Sequence, residues 1–416
     1  MPESGGEYYD RLEVRDPERR HVELFTALPG LVRHALENAP AIGQALGEID
    51  PDRVNSPAAL ARLPVIRKSE LIALQRRDPP FGGLTATRLE RLTKIFASPG
   101  PIYDPESGRP DFWRFARAMF AAGFRPGDLV HNAYAYHLTP AGSMVEGAAR
   151  ALGCPVIPAG TGQTELQLRV MRDLRPVAFA GTPSFLRTLL TRAARDGTDV
   201  SSLRKAAVSG EPLTPELCDE LRKRYGVEAF QGYATADLGL IAYETRAREG
   251  LVLDEAVLLE IVRPGTGDPL PAGEVGEVVI TSFNPDYPLI RFATGDLSAI
   301  LPGPSPCGRT NLRIRGWLGR ADQTTKVRGQ FVHPSQVADI VRQHPEIGRA
   351  RLMVERDGEG DQMRLCCEVG TTAEGLDVAI HATIREVTGL RGEVEIVAPD
   401  SLPNDGKVIE DRRPVE

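Results

Sequence analysis

Apolar and polar positions in the middle of the chain follow a pattern that predicts strands and helices in alternation. Between residues 110 and 232, short apolar runs are separated by longer segments whose apolar positions lie three to four residues apart. The short runs are typical of buried strands, and the longer segments are typical of amphipathic helices. The predicted elements are helix Asp111–Ala122, strand Asp128–Tyr134, helix Pro140–Leu152, a strand from Val156, helix Thr164–Leu174, strand Val177–Ala180, helix Pro183–Arg195, strand Lys205–Val208, helix Pro215–Tyr225 and strand Val227–Phe230.

Alternation of this length favours a mostly parallel sheet with helices on its faces. Ligands of such sheets bind at the carboxyl ends of the strands. Three short turns follow predicted strands directly, at residues 181–183, 209–211 and 232–234. We therefore expect these turns to form part of a binding site.

The pattern changes on both sides of this region. Residues 16–80 are mainly helical and irregular, and we expect an amphipathic helix over Arg19–Asn38 to be interrupted at Pro29-Gly30. Residues 240–330 contain apolar segments with Gly and Pro turns between them, which is typical of antiparallel strands. After Arg320, alternating helices and strands predict a separate small α+β unit.

The predicted fold class is α/β with two domains. Residues 1–321 would form a large N-terminal domain, with mostly parallel sheets flanked by helices plus an antiparallel β region. Residues 322–416 would form the small α+β domain. Its predicted elements are helix His333–His344, strands Ala350–Glu355 and Met363–Val369, helix Leu376–Thr388 and strand Val394–Val397.

Composition narrows the function classes. The 416 residues carry a net charge of −7, with no dense basic block, and only 6% are aromatic, which makes nucleic acid a poor partner. The first ten residues lack the layout of a signal peptide, and no apolar run is long enough to span a membrane. Five irregularly spaced cysteines do not form a disulfide framework, and Cys307 in a turn is better explained as structural than as a zinc ligand. We expect a cytoplasmic protein.

Two motifs near the end of the chain present single charged groups. Residues 401–407 form a turn-rich segment that ends in Lys407, which is either a solvated surface lysine or a mobile cation that neutralises developing negative charge. A predicted strand over residues 287–293 leads into Thr294-Gly295-Asp296. This is either an ordinary β-turn or a carboxylate that accepts two hydrogen bonds from a ribose diol.

Two further motifs can also be interpreted either as ordinary structural segments or as functional ones. Residues 319–332 form either a charged interdomain loop or a nucleotide contact, Arg320, followed by a hinge at Asp322. Residues 231–237 form either a strand-to-loop turn with a surface acid or a nucleoside contact followed by a carboxylate, Asp237, for Mg²⁺. Magnesium is a hard cation that prefers oxygen ligands.

These four motifs, in this order, resemble those of the adenylate-forming superfamily of acyl-CoA synthetases, and most of all the phenylacetate–CoA ligases. The resemblance runs from about Tyr8 to Arg412, with supporting segments at 134–142, 181–185, 209–212 and 333–336. It implies a small C-terminal domain that is mobile and rotates between two half-reactions. In the first, a carboxylate attacks the α-phosphate of ATP and gives an acyl-adenylate and pyrophosphate. In the second, the thiol of coenzyme A displaces AMP.

The resemblance also implies partners and residue roles. The partners would be a small aryl carboxylic acid such as phenylacetate, ATP, Mg²⁺ and coenzyme A, with a homodimer as a family expectation. Lys407 would be the adenylation lysine, Asp296 would hold the ribose, Arg320 would assist at ribose or phosphate, and Asp237 would replace a Mg²⁺-binding glutamate. The remaining implied residues are Ser98, Gly100, Ser209, Gly210, Glu211, Gly232, Tyr233, Ala234 and Thr235 for the nucleotide, Tyr136, His137 and Thr139 for the acid, and Asp322, Arg328 and Gly329 for the hinge and coenzyme A.

The sequence departs from this family on the phosphate side. The expected phosphate loop is Phe96–Pro105, in which two prolines remove N–H donors and Asp104 stands at the position of a lysine. Arg109, Arg114 or Arg117 could compensate, and Ala236 replaces a Ser or Thr that contacts the α-phosphate. Two alternatives therefore remain open: a weakened relative that binds nucleotide or acyl-CoA as a sensor, and a synthetase whose acceptor is not coenzyme A.

Overall fold

Two units make up the chain, which we describe from a computed structural model. The structure describes residues 7–98, 101–328, 330–357, 360–370, 375–403 and 407–413. The first unit is Met1–Thr294 with Ala299–Trp317, and the second is Gly295–Ser298 with Leu318–Glu416. The second unit thus begins at Leu318 and takes in four residues from earlier in the chain.

The first unit contains most of the regular elements. Its helices are α1 (Pro17–Asn38), α2 (Pro40–Leu46), α3 (Pro57–Leu60), α4 (Leu71–Arg77), α5 (Ala116–Ala121), α6 (Ala141–Leu152), α7 (Thr164–Leu174), α8 (Pro183–Asp196) and α9 (Pro215–Tyr225). Its strands are β1 (Ile66–Arg67), β2 (Leu92–Ser98), β3 (Ile102–Ser107), β4 (Val130–Asn132), β5 (Val156–Pro158), β6 (Ala178–Gly181), β7 (Lys205–Val208), β8 (Glu228–Thr235), β9 (Gly239–Glu244), β10 (Leu251–Leu253), β11 (Val257–Val262), β12 (Gly276–Ser282), β13 (Phe292–Ser298), β14 (Ile300–Leu301) and β15 (Arg313–Ile314).

A nine-stranded sheet carries the predicted alternation. Its strand order is β14-β15-β10-β9-β8-β7-β6-β4-β5. The strands from β5 to β8 pair in parallel, whereas β8, β9 and β10 pair antiparallel. The α/β fold class is confirmed. Two of the three turns that the sequence identified follow the carboxyl ends of β6 and β7. The third prediction is wrong: residues 232–234 lie inside β8, which continues to Thr235 rather than ending at Phe230.

Local signals explain why α8 and α9 begin and end where they do. The Oγ1 of Thr182 accepts a hydrogen bond from the N–H of Phe185 at 3.3 Å, and a proline follows the cap directly. α9 begins in the same way after Thr214. Both helices end at a glycine in the left-handed conformation, Gly197 and Gly226, with φ of 68° in each.

Two helix predictions are wrong. α1 runs without a break through Pro29, because it buries an apolar face that includes Leu28 and Val32, and this burial offsets the one backbone hydrogen bond that proline removes. The helix predicted from Asp111 begins only at Ala116, since Asp111 and Arg114 have φ of 46° and 60°, which an α-helix does not allow.

We expect Gly30→Ala to raise the free energy of unfolding by about 0.5–1 kcal/mol, because alanine is the better residue in a helix interior. A Cβ at Gly30 meets no atom within 4 Å, and the residue lies inside the continuous helix. Gly47→Ala is the matched control: its Cβ also meets nothing within 4 Å, but its φ of 66° favours glycine, so this variant should lose stability. Chemical denaturation measures both. A loss of stability in Gly30→Ala would contradict a continuous helix.

A second sheet of the first unit has four strands in the order β1-β13-β12-β11, in which β11 and β12 pair antiparallel and β1 and β13 pair in parallel. The last residues of β13, Gly295–Ser298, count with the second unit. A separate hairpin of β2 and β3 occupies the segment in which the sequence predicted a phosphate loop.

The second unit is built around a four-stranded sheet of its own. Its elements are β16 (Thr325–Val327), β17 (Gln330–Val332), α10 (Pro334–Gln343), β18 (Ile347–Asp357), β19 (Gly360–Val369), α11 (Leu376–Thr388), β20 (Glu393–Val397) and β21 (Ile409–Asp411). The sheet order is β20-β19-β18-β21. A core that includes Val337, Leu352, Leu365 and Ile380 joins the helices to the sheet, so this segment has the hydrophobic core of a domain.

Candidate active site

A cavity of about 190 Å³ lies at the carboxyl ends of β7 and β8 in the first unit. Ser209, Gly210, Ala234, Thr235 and Ala236 line it from the ends of these two strands. The rest of its wall is mostly apolar, and is formed by Phe115, Tyr134, Pro140, Ala141, Met144 and Val145 together with Ser98 and Thr139. No lining side chain carries a charge, so the cavity suits an apolar group.

The three residues predicted for the acid are separated by the structure. Thr139 lines the cavity, whereas Tyr136 and His137 do not. The hydroxyl of Tyr136 accepts a hydrogen bond from Asn132 Nδ2 at 2.7 Å and donates one to Glu146 at 3.1 Å. Tyr134, two residues earlier, lines the cavity instead.

The predicted nucleoside residues lie on the turn after β7 and in the last part of β8, next to this cavity. Glu211 accepts a hydrogen bond from the N–H of Ser184 at 2.6 Å, which ties the turn after β7 to the start of α8. A Cβ at Gly232 would lie 3.2 Å from the Phe115 ring, so the close approach of these two residues favours glycine. Tyr233 donates to Thr294 Oγ1 at 3.2 Å, and Thr235 Oγ1 accepts from the N–H of Leu238.

Asp237 belongs to a buried acidic pair. Its side chain is fully buried, and its Oδ2 lies 2.6 Å from the ammonium nitrogen of Lys68. Burial raises the pKa of Asp104 well above its ordinary value, and the carboxylate of Asp237 is the second cause. One oxygen of each acid, Oδ1, is buried without a hydrogen-bond partner among the described residues.

The oxygens of this pair fit a hard cation. Mg²⁺ is commonly held by one or two carboxylates together with substrate phosphates, rather than by a full protein cage. No set of three or more His, Cys, Asp or Glu side chains within the described ranges is placed to hold a metal ion. Asp237 and Asp104 could thus supply two oxygens, and Lys68 balances part of their charge.

The phosphate side differs from what the sequence predicts. Ser98 Oγ lies 3.0 Å from Asp104 Oδ2 within the β2–β3 hairpin, while Pro99 and Gly100 lie outside the described residues. The three candidate arginines are held by acids elsewhere: Arg109 pairs with Asp286, Arg114 with Asp254, and Arg117 with Asp10 and Glu13. Lys68 is the cation beside the acidic pair, and the sequence reasoning missed it.

In the second unit, Asp296 and Arg320 form an ion pair. Arg320 Nη1 lies 3.1 Å from Asp296 Oδ1, and the two residues also form an isolated antiparallel bridge. Gly295 has φ of 75°, and a Cβ there would lie 2.6 Å from Arg320 Nη2, so glycine allows this close approach. Arg320 Nε also lies 3.4 Å from Asp322. The structure therefore brings these three predicted residues together.

The predicted residues at the C-terminal end of the chain are only partly described. Lys407 is exposed and lies next to Val408, whose N–H donates to Gln323 Oε1 at 2.8 Å. The neighbouring Asn404, Asp405 and Gly406 lie outside the described residues, as does Gly329. Arg328 is held by Asp361, through its own N–H at 3.1 Å and its Nε at 3.0 Å.

No helix in the described part of the chain is long and apolar enough to cross a membrane.

Comparison with known proteins gives a consistent result. The family model of AMP-binding enzymes matches residues 123–284, and that of the AMP-binding enzyme C-terminal domain matches residues 329–413. The phenylacetate-coenzyme A ligase of Aromatoleum evansii is 31% identical over 420 residues, covering 92% of each chain. That of Thermus thermophilus is 32% identical, covering 87% of this chain and 84% of the relative. An open conformation of 2-hydroxyisobutyryl-CoA ligase, in complex with 2-HIB-AMP and CoA, has a TM-score of 0.87 and 25% identity, over 99% of this chain and 96% of that one.

Proposed function

The chain belongs to the AMP-binding enzyme family, among the phenylacetate–coenzyme A ligases, and we propose that the acid it activates is a compact aryl acid such as phenylacetate. Family membership establishes ATP-dependent ligation of an acid to coenzyme A. The proposal adds the identity of the acid, the use of Mg²⁺ and the roles of single residues.

The apolar cavity at the ends of β7 and β8 carries the proposal. An apolar cavity of about 150 Å³ binds benzene, so a cavity of about 190 Å³ accommodates one aromatic ring and a little more. Two fused rings or a long alkyl chain would require its walls to move. The turns that line one side of the cavity would then place the carboxylate of the acid next to the nucleotide.

The charged residues of the second unit suit the nucleotide. As an ionised carboxylate, Asp296 accepts hydrogen bonds, and Arg320 holds one of its oxygens in place. We assign to Asp296 the two hydroxyls of the ribose, and to Arg320 a contact with the ribose or a phosphate. We assign to Lys407 the stabilisation of the negative charge that develops on the α-phosphate and on its leaving group while the carboxylate attacks.

Asp237 and Asp104 would hold Mg²⁺ through the oxygens that lack partners. Mg²⁺, when bound, supplies positive charge that offsets the charge of the phosphates. Lys68 adds a second positive charge at the same place. This lysine thereby takes over part of the role that the missing lysine of the phosphate loop would have.

We assign the second half-reaction to a rotation of the second unit about Asp322, after which the thiol of coenzyme A attacks the acyl carbon and AMP leaves. Arg328 and Gly329 follow the hinge and would contact coenzyme A. A cytoplasmic location and a homodimer complete the proposal; the five free cysteines agree with a reducing compartment.

One observation favours a second candidate, a sensor that binds nucleotide or acyl-CoA without turnover. The three arginines that could replace the phosphate loop are held by acids, and two carboxylates face the phosphate side. Such a sensor would be stabilised against heat by AMP and coenzyme A, while releasing no AMP from ATP.

Product analysis tests the proposal. The protein is incubated with ATP, Mg²⁺, coenzyme A and one acid, and acyl-CoA, AMP and ADP are measured. We expect AMP and acyl-CoA with phenylacetate, and a kcat/KM about 10- to 100-fold lower with 1-naphthylacetate, because overfilling a packed cavity costs about 1–3 kcal/mol.

Met144→Ala is the matched variant, because Met144 is a large side chain in the cavity wall. It should raise kcat/KM for 1-naphthylacetate relative to phenylacetate. Release of ADP in place of AMP, or no acyl-CoA with any acid, would contradict the proposal. Equal rates with both acids in the unchanged protein would contradict the assignment of the cavity.

A further inference from the structure

A buried carboxylate joins the β2–β3 hairpin to two other segments of the first unit. Glu106, on β3, is 8% exposed. Its Oε2 accepts a hydrogen bond from Trp113 Nε1 at 2.6 Å and lies 2.7 Å from Ser143 Oγ. Lys94, directly opposite on β2, places its ammonium nitrogen 3.2 Å from Oε1 and also donates to Ser143 Oγ. We call these four residues the Glu106 cluster.

The partners of Glu106 lie next to residues that line the 190 Å³ cavity. Ser143 directly precedes two lining residues of α6, and Trp113 is two residues before Phe115, which also lines the cavity. Ser98, at the end of β2, contributes to the same wall. The Glu106 cluster therefore connects three segments that form part of the cavity wall.

The same cluster extends to the two buried acids on the phosphate side. Asp104 is two residues before Glu106, so both side chains lie on one face of β3. The carbonyl of Trp113 accepts a hydrogen bond from the N–H of Leu240 on β9 at 2.9 Å, and β9 begins two residues after Asp237. A single chain of contacts through Glu106 thus connects both acids with the cavity wall.

The contacts within the Glu106 cluster form a closed ring. Ser143 Oγ donates to the carboxylate and accepts from Lys94, whose ammonium group also faces the carboxylate. Hydrogen bonds with one ionised partner are shorter and stronger than those between neutral groups, so this ring restricts all three segments. Without the carboxylate, the buried Trp113 Nε1 would lose this acceptor, and the hairpin would lose its polar contact with the segment before α5.

We propose that Glu106 is a positioning residue for acyl-adenylate formation, because it fixes the hairpin that carries Ser98 and Asp104 against the wall of the acid cavity. It acts through its partners rather than through the substrate. The inference rests on the proposed function, which places the phosphates and Mg²⁺ beside Asp104. A displacement of about 1 Å between reacting groups can slow a reaction about 100-fold, so a residue that fixes their distance affects the rate without touching them.

Separate measurement of the two half-reactions tests this role. Glu106→Ala should slow acid-dependent exchange of pyrophosphate into ATP by about 10- to 100-fold, because the hairpin is no longer held in place. Thioester formation from synthetic acyl-adenylate should change by about threefold or less, since that step needs no phosphate beyond the AMP. Glu106→Gln should restore most of the exchange rate, because the amide keeps an acceptor for Trp113 Nε1 and a donor for Ser143 Oγ.

Ser143→Ala is a second variant, which removes only the contact of the carboxylate with α6 and keeps the test valid if Glu106→Ala does not fold. It should slow exchange by about 3- to 10-fold and again leave thioester formation nearly unchanged. Thermal melting shows which variants are folded. Equal loss of both half-reactions in the folded variants, or unchanged exchange in them, would overturn the proposal.

Glu255→Ala is the matched control, because Glu255 is also a buried carboxylate, paired with Arg15 and Arg20. It should lower the melting temperature without changing the ratio of the two half-reactions. The same change of this ratio in Glu255→Ala would mean that any loss of a buried ion pair slows exchange, and would overturn the specific role of Glu106.

A binding measurement separates this proposal from the proposed function. If the unchanged protein activates no acid, its affinities for ATP with Mg²⁺ and for AMP are measured by calorimetry. In Glu106→Ala, or in Ser143→Ala if the former does not fold, the affinity for ATP should fall by about tenfold relative to that for AMP, because only ATP carries phosphates beyond the first. That result would support positioning by Glu106 while contradicting ligation. An equal change of both affinities would overturn the positioning role.

Discussion

Replacing Lys407 with alanine is expected to slow acyl-adenylate formation by about 100- to 1,000-fold. Removing one preorganised donor to a developing negative charge has an effect of this size in other enzymes. The ammonium group has this effect only while charge develops at the α-phosphate, so attack of coenzyme A on a finished acyl-adenylate should change little. The two rates are measured separately, as acid-dependent exchange of pyrophosphate into ATP and as thioester formation from synthetic acyl-adenylate.

Lys223→Ala is the control for Lys407→Ala, because Lys223 is an exposed lysine on α9 whose partner is Asp219. It should leave both rates unchanged. Equal loss of both half-reactions in Lys407→Ala would mean that the lysine supports the fold or binds a group common to both steps, and the assignment would then be wrong.

Asp296→Ala is expected to raise the KM for ATP by about 100-fold or more. Each hydrogen bond to a charged group contributes about 1.5–3 kcal/mol, and the proposal assigns two to this carboxylate. The variant also removes the partner of Arg320, 3.1 Å away. Thermal melting accompanies the kinetics, so that a general loss of stability is recognised.

Deoxynucleotides make this test specific for the ribose. The unchanged protein should discriminate against 2′-deoxy-ATP and 3′-deoxy-ATP, because each lacks one of the two hydroxyls. Asp296→Ala should lose most of this discrimination, and Asp296→Asn should keep a part of it, since an amide retains one acceptor oxygen. Full discrimination in Asp296→Ala would contradict the contact with the ribose.

The sequence predicts helices well where chemical signals mark both ends. α8 and α9 each combine a threonine cap, a proline in the first turn and a glycine stop, and their predicted bounds agree with the structure to within one residue. The break predicted in α1 at Pro29 is absent, because tertiary burial of the helix's apolar face outweighs the local effect of the proline. The sequence pattern at residues 111–115 does not indicate that Asp111 and Arg114 adopt positive φ.

The site is predicted less completely than the fold. Lys68 and Asp237 are 169 positions apart, and no periodicity connects them. The structure places Tyr134, and not Tyr136, in the cavity wall; β4 ends at Asn132, and beyond it no strand alternation indicates which side chain faces the cavity. In the second unit, the predicted residues Asp296 and Arg320 lie together through an ion pair and a short antiparallel bridge, and their roles stay predictions.

Transfer of oxygen isotope tests most directly whether the acid is activated by adenylation. The protein is supplied with ATP, Mg²⁺, coenzyme A and a compact aryl acid whose carboxyl group carries ¹⁸O in both positions. One carboxylate oxygen bonds to the α-phosphorus, and it stays on AMP when the thiol attacks the acyl carbon and the acyl C–O bond breaks. We therefore predict one ¹⁸O atom in each AMP and none in pyrophosphate. Unlabelled AMP, or label in any other phosphate product, would contradict an acyl-adenylate.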